Sequence, residues 1–122
     1  MIRGLGIDII ENQRIGLALK RWGERFLGRI YTEAELQYCF SKKYPVPCLS
    51  ARFAAKEAAI KAIGGATVSF SDIEILSSNG GQPYLTFKGK ALKYIEDIAI
   101  TKIHISISHE QNYSVAVVIL EN

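Results

Sequence analysis

The sequence predicts an α+β domain: a mainly antiparallel sheet of about four or five strands packed against a long alanine-rich helix. Two observations carry that expectation. Within Arg52–Ala62, residues Ala54, Ala55, Ala58, Ala59 and Ala62 fill one continuous helical arc, a smooth face that lets another backbone approach closely. Near the other end, Ile103, Ile105 and Ile107 alternate with His104, Ser106 and Ser108, and Ser114–Leu120 follows as a second apolar run, which is the pattern of a hairpin of strands.

Length and composition set the bounds. The chain has 122 residues, so residues 1–122 read as one domain able to bury roughly two thirds of its unfolded surface. Hydrophobic residues make up 48% and charged residues 22%, an ordinary globular balance, and no apolar run approaches the roughly 20 residues of a membrane span. The N-terminus opens on a core-like strand, not on a charged leader, which predicts a cytoplasmic location. Cys39 and Cys48 have no further Cys or His near them at zinc-ligand spacing, so they read as reduced, partly buried thiols. The net charge of +3 is mild, but Arg14, Lys20, Arg21, Arg25 and Arg29 cluster against only Glu11 and Glu24, which favours an acidic partner.

Each element can be justified in turn. Met1–Ile10 carries apolar residues on both faces, with Leu5, Ile7 and Ile9 on one side and Ile2 and Ile10 with Gly4, Gly6 and Asp8 on the other; it reads as a central strand buried on both. Asp8 has no cation within two residues, so it is either a cap at a fraying strand end or a carboxylate met by something positive, such as a metal. Ile15, Leu17, Ala18, Leu19 and Trp22 then mark a helix, and Glu24–Gly28 a short turn with Phe26 and Leu27. Thr32 and Glu35 form a capping-box pattern that opens a third helix.

Pro45 and Pro47 read as stops before the alanine helix, Ser50 as its N-cap and Gly64-Gly65 as its end. Glu57 and Lys61 stand at i,i+4 in the favourable order. Arg52 and Lys56 stand at the same spacing, both positive, with no acid three or four residues away. Such a pair is either a solvated polar edge or a seat for an anion. Beyond the helix, Val68–Leu76 gives one or two short strands, Asn79–Pro83 a loop and Tyr84–Phe87 a returning strand. Leu92, Ile95, Ile98 and Ala99 mark a covering helix, and His109 falls at the mouth of the C-terminal hairpin.

Four blocks in order, Gly6–Glu11, Phe26–Tyr38, Arg52–Ala58 and Ser106–His109, resemble the holo-acyl-carrier-protein synthases, the small trimeric class of phosphopantetheinyl transferases. The resemblance covers nearly the whole chain. It implies transfer of 4'-phosphopantetheine from coenzyme A to a serine of apo acyl carrier protein in fatty acid biosynthesis, releasing adenosine 3',5'-bisphosphate. By position it implies Asp8 and Glu57 as magnesium ligands, Glu57 or a magnesium-bound water as the base, and Lys56, Lys61 and His109 facing the phosphates. Arg52, Lys42 and Lys43 become candidates for the 3'-phosphate, with Gly64 and the loop ending in Pro83 also against coenzyme A. Arg14, Arg21 and Arg25 would steer the acidic carrier protein, and Trp22 or Phe26 would anchor it; the alternative is a solvated helix face with both rings in the core. The resemblance also implies a homotrimer with active sites at subunit boundaries. The chain departs from the family pattern at Ile60 and at Gly64-Gly65-Ala66.

Two other classes compete. A basic module that binds without chemistry is one, although His104 and the serines beside it offer no aromatics for stacking nucleic-acid bases. A trimeric scaffold is the other, and it leaves Asp8 without a reason. Only the enzyme needs magnesium.

Overall fold

The computed structural model describes residues 1–64 and 67–122. Its elements are β1 (Ile2–Glu11), α1 (Asn12–Trp22), α2 (Glu24–Ile30), α3 (Glu33–Phe40), α4 (Pro45–Ile63), β2 (Ile73–Ser77), β3 (Pro83–Phe87), α5 (Gly89–Asp97), β4 (Lys102–His109) and β5 (Tyr113–Glu121). One 3-10 turn, Phe70–Asp72, precedes β2. The class is the α+β arrangement that the periodicities predict, with all strand pairs antiparallel, but the strands form two sheets: β1-β5-β4 and the hairpin β2-β3.

The alanine helix is central, as its smooth arc predicts. Ala54, Ala55, Ala58 and Ala59 are wholly buried. The backbone that approaches them is β1: a Cβ on Gly4 would overlap the Ala62 carbonyl oxygen, and one on Gly6 the Ala58 carbonyl oxygen. Glycine is required at both positions because helix and strand lie backbone to backbone. The opposite face of α4 is bound to α3 and β2 through Glu35, described below.

Three expectations need correction. The helix starts at Pro45, not after Pro47, and runs for 19 residues. Pro45 occupies the first helical position, where its missing N–H and fixed φ cost nothing, so it opens the helix instead of stopping it. Ser50 is then inside the helix; its hydroxyl donates to Asn12 Oδ1 at 2.7 Å, while the Asn12 amide donates to the Glu110 carbonyl at 2.9 Å. Second, β1 is an edge strand with one face open, and β5 is the centre of the sheet. Leu5, Ile7 and Ile9 are each at least 60% exposed, in register with Ile119, Val117 and Val115 on the outer side of the sheet. Alternation reports that a face is apolar; it does not report what covers it. Third, Cys39 and Cys48 form a disulfide that joins the end of α3 to the start of α4, with Cα atoms 5.4 Å apart. Spacing along the sequence could not reveal it, because the chain between them doubles back.

Among the described residues, no helix is long and apolar enough to cross a membrane. The departure from the family pattern at Gly65 and Ala66 lies outside the described residues.

Candidate active site

The close approach of β1 to α4 decides where Asp8 goes. Asp8 pairs with Ala116 of β5 well inside the strand, so it is no helix cap, and its side chain is only 16% exposed. Lys61 supplies the cation that the neighbouring sequence lacks: its ammonium lies 3.2 Å from Asp8 Oδ1 and donates to the Ile7 carbonyl at 3.0 Å. Glu57, one helical turn before Lys61, is half-buried in the same place. Burial first, and the Asp8 charge second, raise the Glu57 carboxyl above the ordinary carboxylate range, with Lys61 opposing them. A carboxylate whose proton affinity is raised by a second carboxylate beside it is what a hard divalent cation relieves. The donor set, carboxylate oxygens without thiolate or imidazole, fits magnesium, which keeps waters and phosphate oxygens as its remaining ligands. Among the described residues no group of three or more His, Cys, Asp or Glu side chains gathers at this place or at any other, so the protein offers two carboxylates and not a full ligand shell.

Lys56 does not belong to this group. It is wholly buried, and its ammonium is saturated by Glu35 Oε1 at 2.6 Å, the Ile30 carbonyl at 2.7 Å and the Phe70 carbonyl at 3.1 Å. A role against a diphosphate is therefore excluded by its position, and the charge that looks uncompensated along α4 is compensated from α3. Glu35 does this while keeping the capping box: it accepts from the Thr32 N–H at 2.7 Å, its own N–H donates to Thr32 Oγ1 at 3.3 Å, and its other oxygen accepts from the Ile75 N–H at 2.8 Å. One carboxylate thus ties α3, α4 and β2 together.

A separate basic cleft of about 520 Å³ opens beside α4. It brings together Lys42, Lys43, Arg52, Pro83 and His109, five residues from four parts of the chain, with Tyr38 and Ser77. Lys42 and Lys43 arrive on the segment between α3 and α4, Arg52 from α4, Pro83 from the start of β3 and His109 from the end of β4. Arg52 is 6% exposed and donates to Ser77 Oγ at 3.2 Å. Gly64 is not among the lining residues; it is the C-cap of α4, with φ 79° and its N–H bonded to the Ile60 carbonyl at 3.2 Å. Tyr38 and Ser77 escape sequence reasoning, since neither carries a charge or a spacing that points to a ligand.

The basic residues of the first helices stay at the surface. Arg14, Arg21 and Arg25 are exposed, and Trp22 is 51% exposed with the Arg21 guanidinium 5.0 Å from its ring centroid. Phe26 is half-buried and meets Tyr31 edge-on at 6.0 Å. Trp22, Arg25 and Phe26 line a shallow cavity of about 340 Å³ with Arg29 and Ile30; Arg14 and Arg21 lie outside it.

Comparison with known proteins converges on one family. Residues 4–118 match the model of the 4'-phosphopantetheinyl transferase superfamily. The holo-[acyl-carrier-protein] synthase of Koribacter versatilis (strain Ellin345) is 49% identical over 125 residues, covering 100% of both chains. The crystal structure of the corresponding synthase from Neisseria meningitidis superposes with a TM-score of 0.90 at 38% identity, covering 100% of each chain. That of the Helicobacter pylori synthase in complex with coenzyme A has a TM-score of 0.84 at 32% identity, covering 96% of this chain and 99% of that one. With a half-buried pair of carboxylates, a basic cleft on the same helix and full-length similarity of both sequence and fold, this chain belongs to the 4'-phosphopantetheinyl transferase superfamily, among the holo-[acyl-carrier-protein] synthases.

Proposed function

We propose that the protein transfers 4'-phosphopantetheine from coenzyme A to a serine of apo acyl carrier protein, giving holo carrier protein and adenosine 3',5'-bisphosphate. It does so with magnesium, in the cytoplasm, in the service of fatty acid biosynthesis. The observation that carries the reading is the meeting of Asp8, Glu57 and Lys61 on the helix that also supplies Arg52 to the basic cleft. Arg52 and Lys61 are nine positions apart, about 13 Å of helical rise, a span suited to one extended substrate with phosphate at more than one place.

Asp8 and Glu57 would hold the metal, which when bound would offset the charge of the diphosphate. Lys61, half exposed, adds a second positive charge to the departing phosphate oxygen. The serine oxygen forms a bond to the phosphorus that carries pantetheine as the bond to the bridging oxygen breaks. A Glu57 oxygen not committed to the metal would take the serine proton. Arg52, Lys42, Lys43 and His109 hold the 3'-phosphorylated nucleotide end in the cleft. The exposed Trp22, ringed by Arg21 and Arg25, receives the acidic carrier protein, with Arg14 adding to the steering field.

Assembly as a homotrimer, with each site at a subunit boundary, would cover the outer row of Leu5, Ile7 and Ile9 with Val115, Val117 and Ile119. Sedimentation as a monomer at micromolar concentration contradicts it.

Intact-mass spectrometry of apo acyl carrier protein, incubated with this protein and coenzyme A, tests the reaction. One added phosphopantetheine with magnesium and none with chelator is the expected result. Equal gain with chelator removes the metal, and no gain with any carrier protein removes the function.

A further inference from the structure

We infer that Tyr38 is a positioning residue for coenzyme A: its ring holds the Arg52 and Lys42 charges side by side, without neutralising them, as one seat for the 3'-phosphate. The inference rests on the reading that the basic cleft takes the phosphorylated nucleotide end of coenzyme A.

The geometry is specific. The Arg52 guanidinium carbon and the Lys42 ammonium each lie 4.5 Å from the centroid of the Tyr38 ring. Two cations sharing one ring repel each other, and none of the residues lining the cleft is acidic. A carboxylate in the place of Tyr38 would hold both cations equally well, but it would cancel the charge that an incoming phosphate needs. An aromatic face attracts them through its quadrupole and carries no net charge, so the positive potential stays available. Arg52 is also under-used by the protein itself. It is nearly buried, one terminal nitrogen donates to Ser77, and its Nε has no hydrogen-bond partner among the described residues. A nearly buried guanidinium whose donors the protein does not all use, lining a cleft of the size needed for a nucleotide, is suited to an oxygen acceptor.

The fold fixes the ring under the guanidinium. Tyr38 stands in the last turn of α3 directly before Cys39, and Cys39 is bridged to Cys48, one turn before Arg52 on α4.

Steady-state kinetics with coenzyme A and with 3'-dephospho-coenzyme A test this. For Tyr38→Leu the expected result is a KM for coenzyme A raised about tenfold, kcat within about twofold, and unchanged kinetics with the dephospho substrate, as expected for loss of an interaction of this size. Tyr38→Phe, which keeps the ring, should restore KM for coenzyme A to within about threefold. Equal loss toward both substrates, or no loss toward either, overturns the role of Tyr38. Arg52→Gln and Lys42→Gln separate this from the underlying reading. If they abolish the preference for coenzyme A while Tyr38→Leu does not, only the inference falls. If they leave the preference intact, the cleft does not hold the 3'-phosphate and both fall.

Discussion

Lys56 and Glu57 are adjacent on one helix and meet opposite fates. Lys56 is wholly buried with three acceptors around its ammonium, whereas Glu57 is half-buried, pushed toward protonation, and faces another carboxylate. The first charge is finished by the protein; the second is left for something to complete. A strained or under-satisfied ionisable group beside a fully satisfied one is a better guide to chemistry than charge alone. The 100° turn between successive residues is enough to separate the two environments.

The contrast can be broken most sharply at the open side. Asp8→Asn and Glu57→Gln should each lower turnover by about 10³–10⁵-fold, the scale of losing charge neutralisation in phosphoryl transfer, with an unchanged urea midpoint. Substantial turnover in either variant removes the two-carboxylate site. On the closed side the effect should be on stability: Lys56→Met leaves Glu35 charged and unpaired in the core, at a cost of about 3–5 kcal/mol in urea unfolding. Adding Glu35→Leu should recover only part of that, because the Thr32 and Ile75 N–H groups then lose their acceptor. A stable Lys56→Met protein with no turnover would reverse the assignment of the two residues.

A smaller change should follow from the disulfide. Opening it by Cys48→Ser should lower stability by about 3 kcal/mol, in line with a short closed loop, and should make the unfolding midpoint indifferent to reductant. A parent protein equally indifferent would return both cysteines to the reduced thiols that the sequence suggests. The smallest effect belongs to the charges at the rim. Arg14→Glu with Arg21→Glu should raise KM for acyl carrier protein about tenfold at low salt, less at high salt, and leave KM for coenzyme A alone. Equal loss toward both substrates would count against steering.

Much of this molecule is written in local pattern. The alanine arc of α4 announces a backbone contact, and Gly4 and Gly6 make it. Thr32 and Glu35 form the capping box their spacing predicts. The alternation of Ile103–Ser108 gives a strand with exposed His104, Ser106 and Ser108. Asp8 is conspicuous because nothing near it in sequence is positive. The partner of Lys56 is not legible in the same way, nor are the edge position of β1 and the pairing of Cys39 with Cys48. Each depends on which distant segment lies across a given face.

The sequence by itself therefore determined the periods, the caps and the residues whose charge needed an answer, because these follow from geometry within a few positions of each residue. Only the tertiary structure decided which charge was answered from within. Glu35 reaches Lys56 because α3 folds back onto α4, and Asp8 reaches Lys61 because two glycines let β1 lie on the helix. Burial makes an unpaired charge expensive, so the fold closes on one cation and leaves the carboxylates beside it open.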